Sequence, residues 1–211
     1  MKKVILIDDH KMLKKGIETY LSENSDWTVC GEAESLDEVE PMLSTLDVLP
    51  DDSVVAVVDL QLKGDGKNAL ASNGFEAVKI LLNHNIPSVI FSSNDTGACI
   101  EKAMSAEVGA KGFVSKCSDE QMLLDAINMV AVGKTFIQPD LVASFLETRS
   151  LFAMLTKREQ EVVKLIETDI TNEEISESLG IKITTLENYI SIIYDKLGCR
   201  DRASLLEKLH Q

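Results

Sequence analysis

Val4-Ile5-Leu6-Ile7-Asp8-Asp9 opens the chain with a short apolar run that stops on two carboxylates. The pattern returns three times. Val54-Val55-Ala56-Val57-Val58 stops on Asp59, Ser88-Val89-Ile90-Phe91 on Ser92, and Gly112-Phe113-Val114-Ser115 on Lys116. Such a run between loop residues is the pattern of a strand buried on both faces, as in a parallel sheet. In open α/β sheets, ligands bind outside the carboxyl ends of the strands. The four strand ends therefore point to one site with three carboxylates, a hydroxyl and an ammonium.

The segments between carry the rest of an alternating pattern. Strands are predicted at 3–7, 27–33, 54–58, 87–91 and 112–115, and helices at 10–23, 36–46, 74–84, 95–107 and 119–132. Five βα units imply a parallel sheet covered by helices on both faces. Right-handed crossovers make 2-1-3-4-5 the natural order, a flavodoxin-like doubly wound sheet. Ser35 with Glu38, and Ser118 with Gln121, are spaced as capping boxes. Gly133-Lys134 ends the fifth helix, and 133–150 reads as a linker with a short helix around 140–148, after Pro139.

Three clustered carboxylates raise one another's pKa values, and a bound cation relieves that cost. Hard oxygen ligands suit Mg²⁺. Asp59, alone on its strand end, is the candidate nucleophile for a phosphoryl group. Mg²⁺ and Lys116 would neutralise charge on the transferring oxygens, and Ser92 would donate a hydrogen bond to the bound group. A single acid at a strand end is ordinarily a solvated loop residue, so the weight lies on all of them in this order.

With Asp8-Asp9, Asp59, Ser92, Phe113 and Lys116 in place, residues 1–132 resemble the receiver domain of bacterial two-component response regulators. The resemblance implies phosphorylation of Asp59 by a sensor histidine kinase. It implies Mg²⁺ held by Asp9, Asp59 and the backbone carbonyl of Gln61, with Asp8 acting mainly through water. Ser92 and Phe113 would be the switch pair. Asp8-Asp9-His10 also resembles the branch with helix-turn-helix outputs; His10 itself is assigned no chemistry. Haloacid-dehalogenase phosphatases need a second Asp two residues after the nucleophile, where this chain has Gln61. A flavodoxin-like cofactor domain needs a phosphate-cradling loop after the first strand, where this chain has acids.

Residues 151–211 read as helices only. Thr156 with Glu159, and Thr171 with Glu174, are capping-box pairs. Val162, Leu165 and Ile166 form one apolar stripe, Ile175 and Leu179 the next, and Gly180 breaks the chain. Leu186, Ile190, Ile193 and Leu197 form a long stripe at helical spacing, and Leu205, Leu206 and Leu209 close a fourth helix. Two helices joined by a short Gly-containing turn fit a helix-turn-helix; the same stripes would also serve a plain helical bundle. Three segments resemble LuxR-type output domains: 155–162, 171–181 and 196–202. The combination resembles the NarL/FixJ group, a regulator and not an enzyme.

The chain departs from that pattern in three places. The recognition helix, roughly 184–197, usually carries Lys or Arg on its open face; here that face reads Glu187, Asn188, Ser191, Tyr194 and Asp195. Thr184 and Thr185 begin it. Lys157, Arg158, Lys182, Lys196, Arg200 and Arg202 remain for backbone phosphates, which dominate DNA affinity. The expectation is weak or unusually selective DNA binding, as a phosphorylated homodimer. The alternative is a phospho-dependent protein-binding adaptor. After Asp59, Leu62-Lys63-Gly64 and Asn73-Gly74 stand where Met-Pro-Gly and a closer Asn-Gly are usual, with an added stretch near 66–72. Cys117 follows Lys116, where Pro or a polar residue is common.

Composition sets outer bounds. The 211 residues are 45% hydrophobic, with net charge −14. Residues 1–150 carry 13 basic and 24 acidic side chains, and 151–211 carry 8 and 11, so neither part is basic. No apolar run approaches membrane-spanning length. Lys2 and Lys3 precede only a short apolar strand, which is no signal peptide. Cys30, Cys99, Cys117 and Cys199 lack metal-ligand spacing and read as free thiols of a cytoplasmic protein.

Overall fold

The computed structural model describes residues 1–46, 52–62, 73–168 and 170–209. Contact density divides the chain into two units: Met1–Asp95 with Lys102–Asp140, and Thr96–Glu101 with Leu141–Gln211. Among the described residues, no helix is long and apolar enough to cross a membrane.

In the first unit β1 (Lys2–Ile7), β2 (Trp27–Ala33), β3 (Ser53–Val58), β4 (Ser88–Ser92) and β5 (Gly112–Ser115) pair in parallel. They lie in the predicted order, and a sixth strand, β6 (Phe136–Ile137), follows β5. The sequence predicts five strands; the sixth lies within 133–150, which reads there as a linker with a short helix around 140–148. Two residues carry no periodicity; what makes them a strand is the ladder, Phe136 N–H to Lys111 O at 2.9 Å and Gln138 N–H to Phe113 O at 3.0 Å.

Alternate strand residues Val4, Leu6, Val55, Val57, Val89, Phe91 and Val114 pack in one core with α1 (Lys11–Asn24) and α5 (Glu120–Ala131). Ile5, Ile7, Ala56, Val58 and Ile90 are equally buried, and by alternation they face the other side. There α2 (Leu36–Thr45) packs on β2, and α3 (Asn73–Asn83) on β3 and β4. With both faces dry, the strands have to be apolar throughout. The helix α4 spans Gly97–Met104, shorter than expected.

Two predicted capping boxes are not formed. Ser35 makes no cap bond; Glu38 accepts instead from the Glu34 N–H at 2.7 Å. On α5 the cap is Asp119, which accepts the Met122 N–H at 2.9 Å, and Ser118 lies outside the helix. A carboxylate at the helix N-terminus also meets the helix dipole, which a Ser hydroxyl does not.

The second unit is built from α6 (Val142–Ala153), α7 (Lys157–Ile166), α8 (Asn172–Leu179), α9 (Ile183–Leu197) and α10 (Arg202–Leu209). The helix expected at 140–148 begins after a 3-10 turn at Pro139–Leu141 and continues to Ala153, because Leu151 and Phe152 are buried in the helical core. Both capping boxes predicted here are formed, at Thr156/Glu159 and Thr171/Glu174. Gly180 ends α8 at φ +63°, a left-handed conformation that glycine adopts without a Cβ penalty. The turn it makes leads into α9, whose Leu186, Ile193 and Leu197 pack with Val162, Val163, Ile166 and Ile175.

Candidate functional site

The β1–β3 register pairs Ile7 with Val58, which brings Asp8 and Asp59 to the same sheet edge. The β4–β5 register pairs Ser92 with Ser115, and the Lys116 N–H bonds Ser92 O at 2.9 Å. From there Lys116 Nζ donates to Asp59 Oδ2 at 2.6 Å and to Asp8 Oδ2 at 2.7 Å. Asp8 and Asp59 are both buried. Burial pushes the Asp59 carboxyl up, and the charge of Asp8 adds to this; Lys116 and the Gln61 backbone N–H pull it down. Gly74, at the start of α3, sits directly against this strand end. A Cβ there would lie 2.3 Å from Asp59 O and 2.5 Å from Leu60 Cα.

Asp8, Asp9, His10 and Asp59 offer ligand atoms within 4.8 Å of one another. Asp9 Oδ1 is enclosed and accepts no hydrogen bond; His10 Nδ1 lies 2.8 Å away without the alignment for one. The His10 backbone N–H bonds Asp8 Oδ1 at 2.7 Å, and its Nδ1 is 3.0 Å from the same oxygen. An orphaned carboxylate oxygen beside two buried carboxylates fits a hard divalent cation such as Mg²⁺. His10, assigned no chemistry from the sequence, belongs to this cluster. Its adjacency to two acids was the signal.

Ser92, the last residue of β4, and Phe113, the second residue of β5, are both fully buried. Ser92 Oγ accepts the Asn94 N–H at 3.1 Å, and Ser115 Oγ donates to Asp95 Oδ2 at 2.7 Å. The added stretch near 66–72, with Lys63 and Gly64, lies outside the described residues.

On α9, Thr184, Thr185, Glu187, Asn188, Ser191 and Asp195 are exposed, as expected. Tyr194 corrects the reading: it is half-buried and packs on the helical core. Ile192 takes a place on the open face that the sequence reading did not assign. Lys196, read from the sequence as able to hold a backbone phosphate, is exposed but has a partner within the helical unit. Its Nζ donates to both oxygens of the buried Glu159, at 2.6 and 2.9 Å. Arg158 is held by Glu161 and Leu179 O, and Arg202 by Ile166 O. Lys157, Lys182 and Arg200 are exposed and make no ion pair among the described residues.

Residues 4–128 match the response regulator receiver domain family, and residues 153–208 match the family of bacterial regulatory proteins of luxR type. The first match alone spans more than half of the chain. The chain belongs to the response regulators. The response regulator protein VraR of Staphylococcus aureus is 29% identical over 211 aligned positions, covering 95% of this chain and 92% of that one. A structure of RcsB from Salmonella enterica serovar Typhimurium, bound to the promoter P1flhDC in the presence of the phosphomimetic BeF3⁻, is 26% identical with a TM-score of 0.66. It covers 99% of this chain and 97% of that chain. A structure of an RcsB–DNA complex is 25% identical over 98% of this chain and 96% of that chain, with a TM-score of 0.64. This response regulator is of NarL/FixJ type, a regulator rather than an enzyme, with a receiver followed by a luxR-type helix-turn-helix unit.

Proposed function

We propose that Asp59 accepts a phosphoryl group from a sensor histidine kinase and that this switches DNA binding, and so transcription, by the helix-turn-helix unit. The observation that carries the reading is the pair of hydrogen bonds from Lys116 to Asp8 and Asp59, beside an Asp9 Oδ1 that accepts no hydrogen bond. A carboxylate oxygen of Asp59 forms the new bond to phosphorus as the bond to the phosphohistidine nitrogen breaks. Asp9, Asp59 and the Gln61 carbonyl would hold Mg²⁺, with Asp8 reaching it through water. Bound there, the cation supplies charge neutralisation for the phosphoryl oxygens. Lys116 leaves Asp8 and Asp59 to pair with the phosphoryl group, Ser92 turns from accepting the Asn94 N–H to donating toward it, and Phe113 follows.

The output reads DNA through α9. Thr184, Thr185, Glu187, Asn188 and Ser191 face the groove, and Lys157, Lys182 and Arg200 hold phosphates. Lys196 contributes by orienting α9 through Glu159. A face this poor in cations gives little generic affinity, because released counterions supply most of it. Selectivity then rests on base edges, with Asn188 suited to adenine and Glu187 to the cytosine amine. Binding as a homodimer doubles the contacts and sets half-site spacing. Relatives seen on DNA support this assignment. The protein works in the cytoplasm, without a membrane partner.

Selection of full-length protein on a random duplex library, across a salt series, tests the reading. It is run with Mg²⁺, with and without beryllofluoride. Enrichment of one motif, stronger with the mimic, is expected. No enrichment in either state sinks the DNA assignment and leaves a protein-binding output.

A further inference from the structure

The loop that carries Lys116 is not held by β5 alone. Gln138, the residue after β6, is buried, and its Oε1 accepts the Ser115 N–H at 2.9 Å and the Ser118 Oγ–H at 2.5 Å. The two donors flank Lys116-Cys117 on either side. The Gln138 N–H in turn bonds the carbonyl of Phe113 at 3.0 Å, and Ile137 stands opposite Phe113 in the ladder. One residue therefore grips the backbone of the aromatic switch residue and both shoulders of the lysine loop. It is followed at once by Pro139 and the 3-10 turn, and from Leu141 the chain belongs to the second unit.

We infer that Gln138 is a positioning residue for phosphoryl transfer, which ties the place of Lys116 to strand β6 and so to the chain leading into the output unit. The inference rests on the function proposed above. Gln138 touches neither Asp59 nor Asp8; it acts by holding the loop from which Lys116 reaches them. Movement of Lys116 and Phe113 toward a phosphoryl group must strain or release these three bonds, so the strand before the linker senses the event through hydrogen bonds. Coupling between two sites is reciprocal. A displaced β6 must then also alter phosphorylation at Asp59. A merely structural Gln138 would stabilise both states of the switch equally and leave phosphorylation unchanged.

The test uses full-length protein and acetyl phosphate with Mg²⁺, a donor that needs no kinase and no DNA. In that reaction the Asp59–phosphorus bond forms as the phosphorus–oxygen bond to acetate breaks. Gln138→Leu removes both side-chain acceptances. Gln138→Glu keeps an acceptor at the same reach. Ser118→Ala removes one bond and leaves the buried position intact. Phosphorylation about ten-fold slower in Gln138→Leu is expected, with Gln138→Glu within about two-fold of wild type and Ser118→Ala between them. The rise in melting temperature on adding beryllofluoride with Mg²⁺ should also shrink in Gln138→Leu, a difference that a uniform loss of stability leaves untouched. Wild-type rates in both Gln138→Leu and Ser118→Ala overturn the inference. If Gln138→Leu does not fold, Ser118→Ala decides, and a wild-type rate there overturns it. If wild-type protein takes no label, the proposed function has failed, and the inference falls with it.

Discussion

Lys116 Nζ lies 2.6 Å from Asp59 Oδ2 although 57 residues separate the two in the chain. The same ammonium bonds Asp8, so one cation is shared by two buried carboxylates and leaves a net negative charge there. The site is thus held closed by the group that must move when phosphate arrives.

Lys116→Met should strand both carboxylates in a buried place. Removing one partner of a buried charged group leaves the other's desolvation uncompensated, a cost of about 2–3 kcal/mol. Urea denaturation at neutral pH measures it. Adding Asp59→Asn to the variant should recover part of the loss; strictly additive losses would show that the pair does not interact.

Gly74→Ala places a Cβ 2.3 Å from the Asp59 carbonyl oxygen, against backbone that has no rotamer to give. Overpacking of this kind costs about 1–3 kcal/mol. The helix α3 must back away from the strand end that bears the nucleophile. Both a lower urea midpoint and slower labelling by acetyl phosphate are expected, and unchanged labelling would separate α3 from the site.

Lys196 holds the Glu159 carboxyl below the ordinary range, against the opposing effect of burial and with help from the Thr156 cap. A lowered carboxyl stabilises the fold above its ordinary pKa, and that stability is lost as pH falls through the lowered value. Lys196→Met should therefore reduce the melting temperature at neutral pH and flatten its decline in acid. A parallel shift of the whole pH curve would refute the linkage.

Glu187→Lys should raise affinity for generic duplex and steepen the salt dependence by about one unit of log K against log salt. Asn188→Ala should instead lower discrimination at one base position, by about 1–3 kcal/mol. Titrations of the enriched site and of a scrambled duplex, each across salt, distinguish the two effects. An Asn188→Ala variant that weakens both duplexes alike would contradict its assignment to a base edge.

The sheet and the helix-turn-helix frame were legible because their determinants are local and repetitive. Apolar runs such as Val54–Val58 report burial on both faces, and the polar residue that ends each run marks the ligand edge. The boxes at Thr156 and Thr171 are formed, each within four consecutive residues, whereas the same spacing at Ser35 forms none. The box at Ser118 is not formed: Asp119 caps α5 in its place, and the Ser118 hydroxyl donates to Gln138, twenty residues on. Strand β6 was hidden for a similar reason: two residues have no pattern, and only hydrogen bonds to Lys111 and Phe113 make them a strand.

By itself the sequence determined the parallel sheet, its order, the acids at its edge, and the acidic exposed face of α9. These follow from composition and period, which the chain carries in one dimension. The tertiary structure alone decided which charges meet. It sent Lys116 to Asp8 and Asp59, set Lys196 on Glu159, left Asp9 Oδ1 without a hydrogen bond, and placed Gln138 behind the lysine loop. Pairing energies fall off within a few ångströms, and residues tens of positions apart reach that distance only once the core has packed.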